Sequence, residues 1–185
     1  MRSFRSFVPQ WRRPVWVLLL VAAGVVFSFG LACATPFAAL CAVAACTLPR
    51  RDAFCVAGAA WGVNQVIGFG FLHYPWTANC VAQGAAIGLS ALLCTLVADG
   101  VSRRLIQRHA LVSCAVAFAV AFAAYEAALA AFAVVLGGLD NFAPPIVAGI
   151  FGINVVAWVG FFALSWAGAR IGVAPSSRPR VRITN

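Results

Sequence analysis

The stretch that decides the fold is residues 110–136, which have the sequence ALVSCAVAFAVAFAAYEAALAAFAVVL. Its only charged residue is Glu126. A helix of about 20 consecutive apolar residues crosses the hydrocarbon core of a bilayer. This run is longer than that, so it predicts a transmembrane helix that tilts or protrudes from the membrane.

The composition of the whole chain agrees with a membrane location. Of its 185 residues, 64% are hydrophobic and only 9% are charged, against roughly 25% charged residues in soluble domains. A water-soluble domain of this size could not bury so much apolar surface, so the composition excludes a soluble globular or a disordered class for this chain. The length predicts one helical bundle and no second module.

The other apolar runs predict the rest of the bundle, and the fold class is an all-α integral membrane protein with six transmembrane helices. Helix 2 is short for a full crossing, so we expect its neighbours to shield it. The predicted domains are a basic cytoplasmic N-terminus (1–14), a transmembrane domain (15–172) and a disordered cytoplasmic tail (173–185). The six predicted helices are Val15–Ala32, Pro36–Leu48, Ala53–Leu72, Ala78–Ala98, Ala110–Leu136 and Pro145–Ala169.

The basic residues predict the topology. The sequence has no lysine, and its 13 basic residues are all arginines that lie before helix 1, between helices 2 and 3, between helices 4 and 5, and from the end of helix 6 onward. The breaks Cys33–Pro36, His73–Thr77 and Gly137–Pro145 contain none. Because basic loops stay in the cytoplasm, both termini are predicted inside a bacterial cytoplasmic (inner) membrane. The arginines are expected to contact lipid phosphates and not nucleic acid.

Small residues and cysteines mostly predict packing. Gly24, Ser28 and Ala32 follow one another at four-residue spacing on helix 1, which suits either internal packing or docking of another membrane subunit. None of the 7 cysteines forms a CxxC pair, so we expect no metal site and no cofactor. Cys33 and Cys80 lie near the predicted outer face, and their spacing leaves a disulfide open.

The polar residues within the apolar runs gather toward the side without arginines. At a rise of 1.5 Å per residue, Asn64, Glu126 and Asn154 lie about 12 to 15 Å below the outer ends of their helices. Asn79 and Gln83 share a face in the first two turns of helix 4. Buried amides and carboxylates are costly and need a partner or a function. Their preference for one leaflet predicts an outward-opening pocket.

Aromatic residues stand near these polar groups. Tyr125 adjoins Glu126, Trp158 shares a face with Asn154, and the outer breaks add His73, Tyr74, Trp76, Asn141 and Phe142. A pocket with aromatic walls and a few polar groups is typical of a small-ligand site. Simpler interpretations stay open: an interfacial belt for Tyr74 and Trp76, a solvated histidine for His73, a structural hydrogen bond for Glu126. Asp99, four residues before Arg103, predicts a local ion pair.

The stretch TPFAA from Thr35, the LPRR at 48–51, the WGVNQ from Trp61 and Asn154 together resemble the substrate-binding S-components of energy-coupling factor (ECF) vitamin transporters. The resemblance implies that Glu126, Asn154, Asn79, Gln83 and Asn64 contact a vitamin-like ligand, with the aromatic and histidine side chains named above around it. It also implies that a membrane coupling subunit docks on Gly24, Ser28 and Ala32, and that ATPase subunits drive this coupling subunit.

Two further classes stay open, and the ligand is not determined. A self-sufficient carrier would use Glu126 as a proton relay, and a structural subunit would bind no ligand. We expect no enzyme and no catalytic residues, because neither an HExxH motif nor paired membrane carboxylates occur. The carboxylate and aromatics favour a ring-bearing cation such as a thiamine-like compound, while a cobalamin-type ligand or a metal ion also stays open.

Overall fold

The computed structural model describes residues 12–30, 35–105 and 107–172. Within them the chain is all-helical. After α3, the helix continues as a π-helical segment at Val66–Phe71, and a short 3₁₀ helix at Leu139–Phe142 precedes α6. The six α-helices are α1 (Arg12–Gly30), α2 (Phe37–Thr47), α3 (Arg50–Gln65), α4 (Ala78–Arg104), α5 (Ala110–Leu136) and α6 (Pro144–Arg170).

The predicted all-helical class is confirmed, and the bounds of α5 match the prediction at both ends. α4 extends six residues beyond the predicted Ala98, because Asp99 pairs with Arg103 within the helix. Four helical segments are long and apolar enough to cross a membrane: Arg50–Phe71, Ala78–Arg104, Ala110–Leu136 and Pro144–Arg170. The apolar part of α1 (Pro14–Phe27) and the whole of α2 are shorter than these four segments. Membrane crossings by α1 and α2 therefore stay predictions.

α2 is the central helix of the bundle. Residues Phe37 to Ala45 are all buried, and α2 contacts α1, α3, α4, α5 and α6. The expected shielding of this short helix is therefore confirmed. Its small residues, mainly alanine, allow the surrounding helices to approach closely.

The ion pairs of Asp99 with Arg50 and Arg103 lie at one end of the described bundle, which we call the basic end. There Asp99 is buried, and its Oδ2 accepts a hydrogen bond of 2.7 Å from Arg103 Nε. Arg50 Nε of α3 lies 3.9 Å from the same Oδ2 atom. The predicted Asp99–Arg103 pair is confirmed, with Arg50 as a further partner. Arg12 at the start of α1 approaches Gly172 after α6. The starts of α1, α3 and α5 and the ends of α4 and α6 thus lie together.

Gly84 and Gly88 bring α3 and α4 into close contact. Trp61 Nε1 donates a hydrogen bond of 2.8 Å to the carbonyl of Gly84, and the indole lies where a side chain at position 88 would project. These two glycines pack internally, whereas Gly58 and Gly62 of α3 face open space.

One predicted outer break is placed differently. Cys33–Pro36 was expected in a loop at the outer face, but Thr35 and Pro36 are buried inside the bundle. The reason is the length of α2: 11 residues span about 16 Å, so a helix that ends beside Arg50 must begin near mid-bundle. Cys33 lies outside the described residues, as do 1–11 of the predicted N-terminus and the tail 173–185.

Candidate ligand-binding site

A cavity of about 290 Å³ lies beyond the N-terminus of α2, on the side away from the basic end. The cavity exists because α2 is about 16 Å long, whereas α4, α5 and α6 have 27 residues each and are about 40 Å long. These three helices therefore continue beyond the N-terminus of α2. Thr35 and Phe37 form its floor, and the longer helices form its walls. It reaches the α5–α6 loop at Gly137, Gly138, Asn141 and Phe142.

One face of α5 supplies most of the wall. Glu126, Leu129, Ala133 and Leu136 follow at spacings of three and four, so they project on one side of the helix. Tyr125 adds its ring, 6.1 Å between centroids from Phe37. The other lining residues are Asn64, Gln83, Ala86, Ile87, Phe132, Ile150, Ile153 and Asn154.

Glu126 is half-buried on this wall. Among the described residues, its carboxylate has no hydrogen-bond donor and no cationic partner. The structural hydrogen bond considered for Glu126 is therefore not seen within this part of the chain. A carboxylate at this depth with free acceptor capacity is a candidate to contact a ligand.

Asn154 and Asn64 have structural partners at the floor. Asn154 Oδ1 accepts a hydrogen bond of 3.2 Å from the amide of Ala39, which would otherwise lack a partner in the first turn of α2. Its Nδ2 donates to the carbonyl of Ile150 at 3.0 Å. Asn64 Nδ2 donates to Thr35 Oγ1 at 2.9 Å. The two amides thus hold the start of α2, which accounts for their burial in an apolar bundle.

Five of the predicted binding residues line the cavity together, although they come from α3, α4, α5 and α6: Asn64, Gln83, Tyr125, Glu126 and Asn154. Asn79 does not, because it lies one turn before Gln83, at the start of α4, and is exposed. Trp158 does not either, because it lies one turn deeper on α6, stacked between Phe118 and Phe162.

The aromatic residues of the His73–Thr77 segment form a separate cluster at the end of α3. Tyr74 and Trp76 pack on Phe69 with ring centroids 6.4 and 4.5 Å away, and Trp76 is 78% exposed. His73 is exposed and has a positive φ of 56°. The cluster's position suits the interfacial belt considered for Tyr74 and Trp76.

The predicted docking stripe is only partly described. Gly24 is buried, and a Cβ at this position would lie 3.3 Å from Leu40 of α2, so Gly24 packs inside the bundle. The side chain of Ser28 and all of Ala32 lie outside the described residues.

The lining also includes Phe37 and apolar wall residues that were not among the predicted binding residues. The sequence does carry a signal for Leu129, Ala133 and Leu136, since they continue the face of Glu126 at helical spacing. For Phe37 there was none, because its place at the floor depends on α2 beginning at mid-bundle.

No protein-family model matches this chain, and no curated protein or solved structure matches it. The fold and the long apolar helices define its class as an all-helical, multi-pass membrane protein.

Proposed function

We propose that the protein binds a small organic micronutrient in the cavity beyond α2 and serves its uptake as a substrate-binding membrane subunit. The observation that carries this proposal is the half-buried Glu126 on an aromatic and apolar wall, with no partner among the described residues. Ligand sites of this kind combine mostly apolar walls with a few polar groups.

The direction of binding follows from the arginines. If the basic end faces the cytoplasm, the α5–α6 loop and the cavity face the outside. The protein would then take its ligand from the exterior of a bacterial inner membrane. The cytoplasmic placement of both termini belongs to the same proposal.

An energy source must then come from partner chains. The sequence contains neither a GxxxxGK[ST] loop nor any lysine, so this chain carries no ATP-binding site of that type. Its resemblance to ECF S-components supports a membrane coupling subunit and two ATPases as those partners. In this proposal the chain binds and delivers the ligand and performs no catalytic step.

Cavity filling on α5 tests the proposal. Ala133→Phe places a ring in the cavity, whereas Ala127→Phe places the same ring on an exposed face of the same helix. Small molecules that co-purify with the protein in lipid nanodiscs are identified by mass spectrometry, and their affinity is measured by calorimetry. We expect Ala133→Phe to reduce the affinity at least tenfold and Ala127→Phe to leave it unchanged. Equal binding by both variants would exclude the cavity.

A second function is favoured by the same carboxylate. A membrane carboxylate that has no basic partner among the described residues is a candidate to carry a proton, as a proton-coupled carrier requires. Proteoliposomes that contain only this chain separate the two functions. Uptake driven by a pH gradient and abolished by a protonophore would favour the carrier, and uptake only after addition of coupling and ATPase subunits would favour the S-component.

A further inference from the structure

We infer that the cavity selects a compact organic cation that carries no anionic group. This inference rests on the proposed function, since it names the class of ligand for the same site. It follows from the charge of the lining, the state of the α2 N-terminus, the chemistry of the walls and the volume.

Glu126 is the only charged side chain among the described residues of the cavity lining. The described arginines lie at the basic end, and residues 31–34, which precede the floor, are LACA and carry no charge. A ligand carboxylate or phosphate would therefore be buried without a counter-charge, which is strongly unfavourable in a low-dielectric site. A ligand cation would instead pair with Glu126.

The N-terminus of α2 at the floor could in principle attract an anion, because helix N-termini expose N–H groups. Here two of these groups are already used. The amide of Phe37 donates to the carbonyl of Thr35 at 2.8 Å, and that of Ala39 donates to Asn154 at 3.2 Å. The floor therefore offers little to a carboxylate or phosphate, and Glu126 dominates the charge of the site.

The walls favour an organic cation over a metal ion. Calcium and magnesium need about six or more oxygen ligands, whereas most of the residues around Glu126 are apolar or aromatic. No group of three or more His, Cys, Asp or Glu side chains with metal-binding geometry occurs among the described residues. The rings of Phe37, Tyr125, Phe132 and Phe142 can face a delocalised cation.

The volume indicates the size of the ligand part that the cavity encloses. About 290 Å³ is at the small end of the roughly 300–1,000 Å³ of small-ligand sites. One or two aromatic rings fill this space, so most of a macrocycle of the cobalamin type would lie outside it.

Isosteric probes of different charge test the inference. 1-Methylnicotinamide, nicotinamide and nicotinate have one ring and carry a positive, zero and negative charge, and thiamine and thiochrome form a larger pair, cationic and neutral. Binding to the full chain in nanodiscs is measured by calorimetry. We expect at least one of the two cations to bind at least tenfold more tightly than its neutral isostere, and nicotinate not to bind.

Three variants connect this selectivity with the carboxylate. Glu126→Gln is expected to abolish the tenfold preference for the cation, Glu126→Asp to retain most of it, and Asp140→Asn, an exposed acid outside the lining, to leave it unchanged. Monodisperse elution of each variant establishes that it is folded.

Two results would overturn the inference. If nicotinate or a co-purified anion binds and Ala133→Phe removes that binding, the charge class is wrong while the proposed site stands. If neither cation binds and the wild-type protein retains no small molecule through purification, both the charge class and the proposed function are wrong.

Discussion

Single residues fix the start of the central helix. Asn154 reaches from α6 to the amide of Ala39, and Asn64 reaches from α3 to Thr35. A helix that begins inside an apolar bundle cannot satisfy its first amides with water, so side chains of neighbouring helices must do so. This requirement explains two of the costly amides that the sequence shows within apolar runs.

Asn154→Ala removes this cap. We expect the protein to lose about 1–3 kcal/mol of stability, because the amide of Ala39 is left buried without its acceptor. The apparent melting temperature in detergent should fall. Asn79→Ala is the matched control, since Asn79 is exposed and the structure gives it no side-chain hydrogen bond. Equal melting temperatures for the two variants would contradict the capping role.

At the scale of elements, the short α2 creates the cavity and the glycines of α4 set the distance to α3. Apolar runs and arginines were sufficient to predict α5 and the start of α4 at Ala78. The depth of α2 could not be predicted, because hydropathy gives the length of a helix but not the level at which it lies among its neighbours. For the same reason Gln83 and Asn79, which share a face, differ in their access to the cavity.

Gly88→Ala tests the contact between α3 and α4. The new Cβ would lie 2.7 Å from Trp61 Nε1, so the indole must move and its hydrogen bond to Gly84 is strained. We expect a loss of about 1–3 kcal/mol, as for other overpacked sites. Gly100→Ala on the same helix meets open space and should be neutral or stabilising by up to about 1 kcal/mol. Both are measured as shifts of the thermal unfolding midpoint. A neutral Gly88→Ala would show that the indole does not depend on this glycine.

At the scale of the whole molecule, the described arginines and the cavity lie at opposite ends. The prediction of an outward pocket came from polar groups that prefer one leaflet, and the structure places Glu126 and Gln83 in the lining of one cavity, at the end of the bundle away from the described arginines. Tyr74 and Trp76 were assigned to the same pocket only because they share its side of the membrane. Their packing on Phe69 could not be predicted, since it depends on the π-helical end of α3.

Reporter fusions test the orientation on which uptake depends. Green fluorescent protein fused after Asn185 should fluoresce and alkaline phosphatase at the same place should be inactive, because the positive-inside rule retains the basic end in the cytoplasm. A fusion within the His73–Thr77 loop should show the opposite pattern. Active phosphatase at the C-terminus would reverse the proposed direction of binding.

The most direct test of the central claim is an experimental structure of the protein purified with its endogenous small molecule. We predict ligand density between Phe37 and the α5–α6 loop, in contact with the Glu126 carboxylate. Density bound elsewhere, or a cavity closed by side chains while the ligand is retained, would contradict the assignment of this cavity as the binding site.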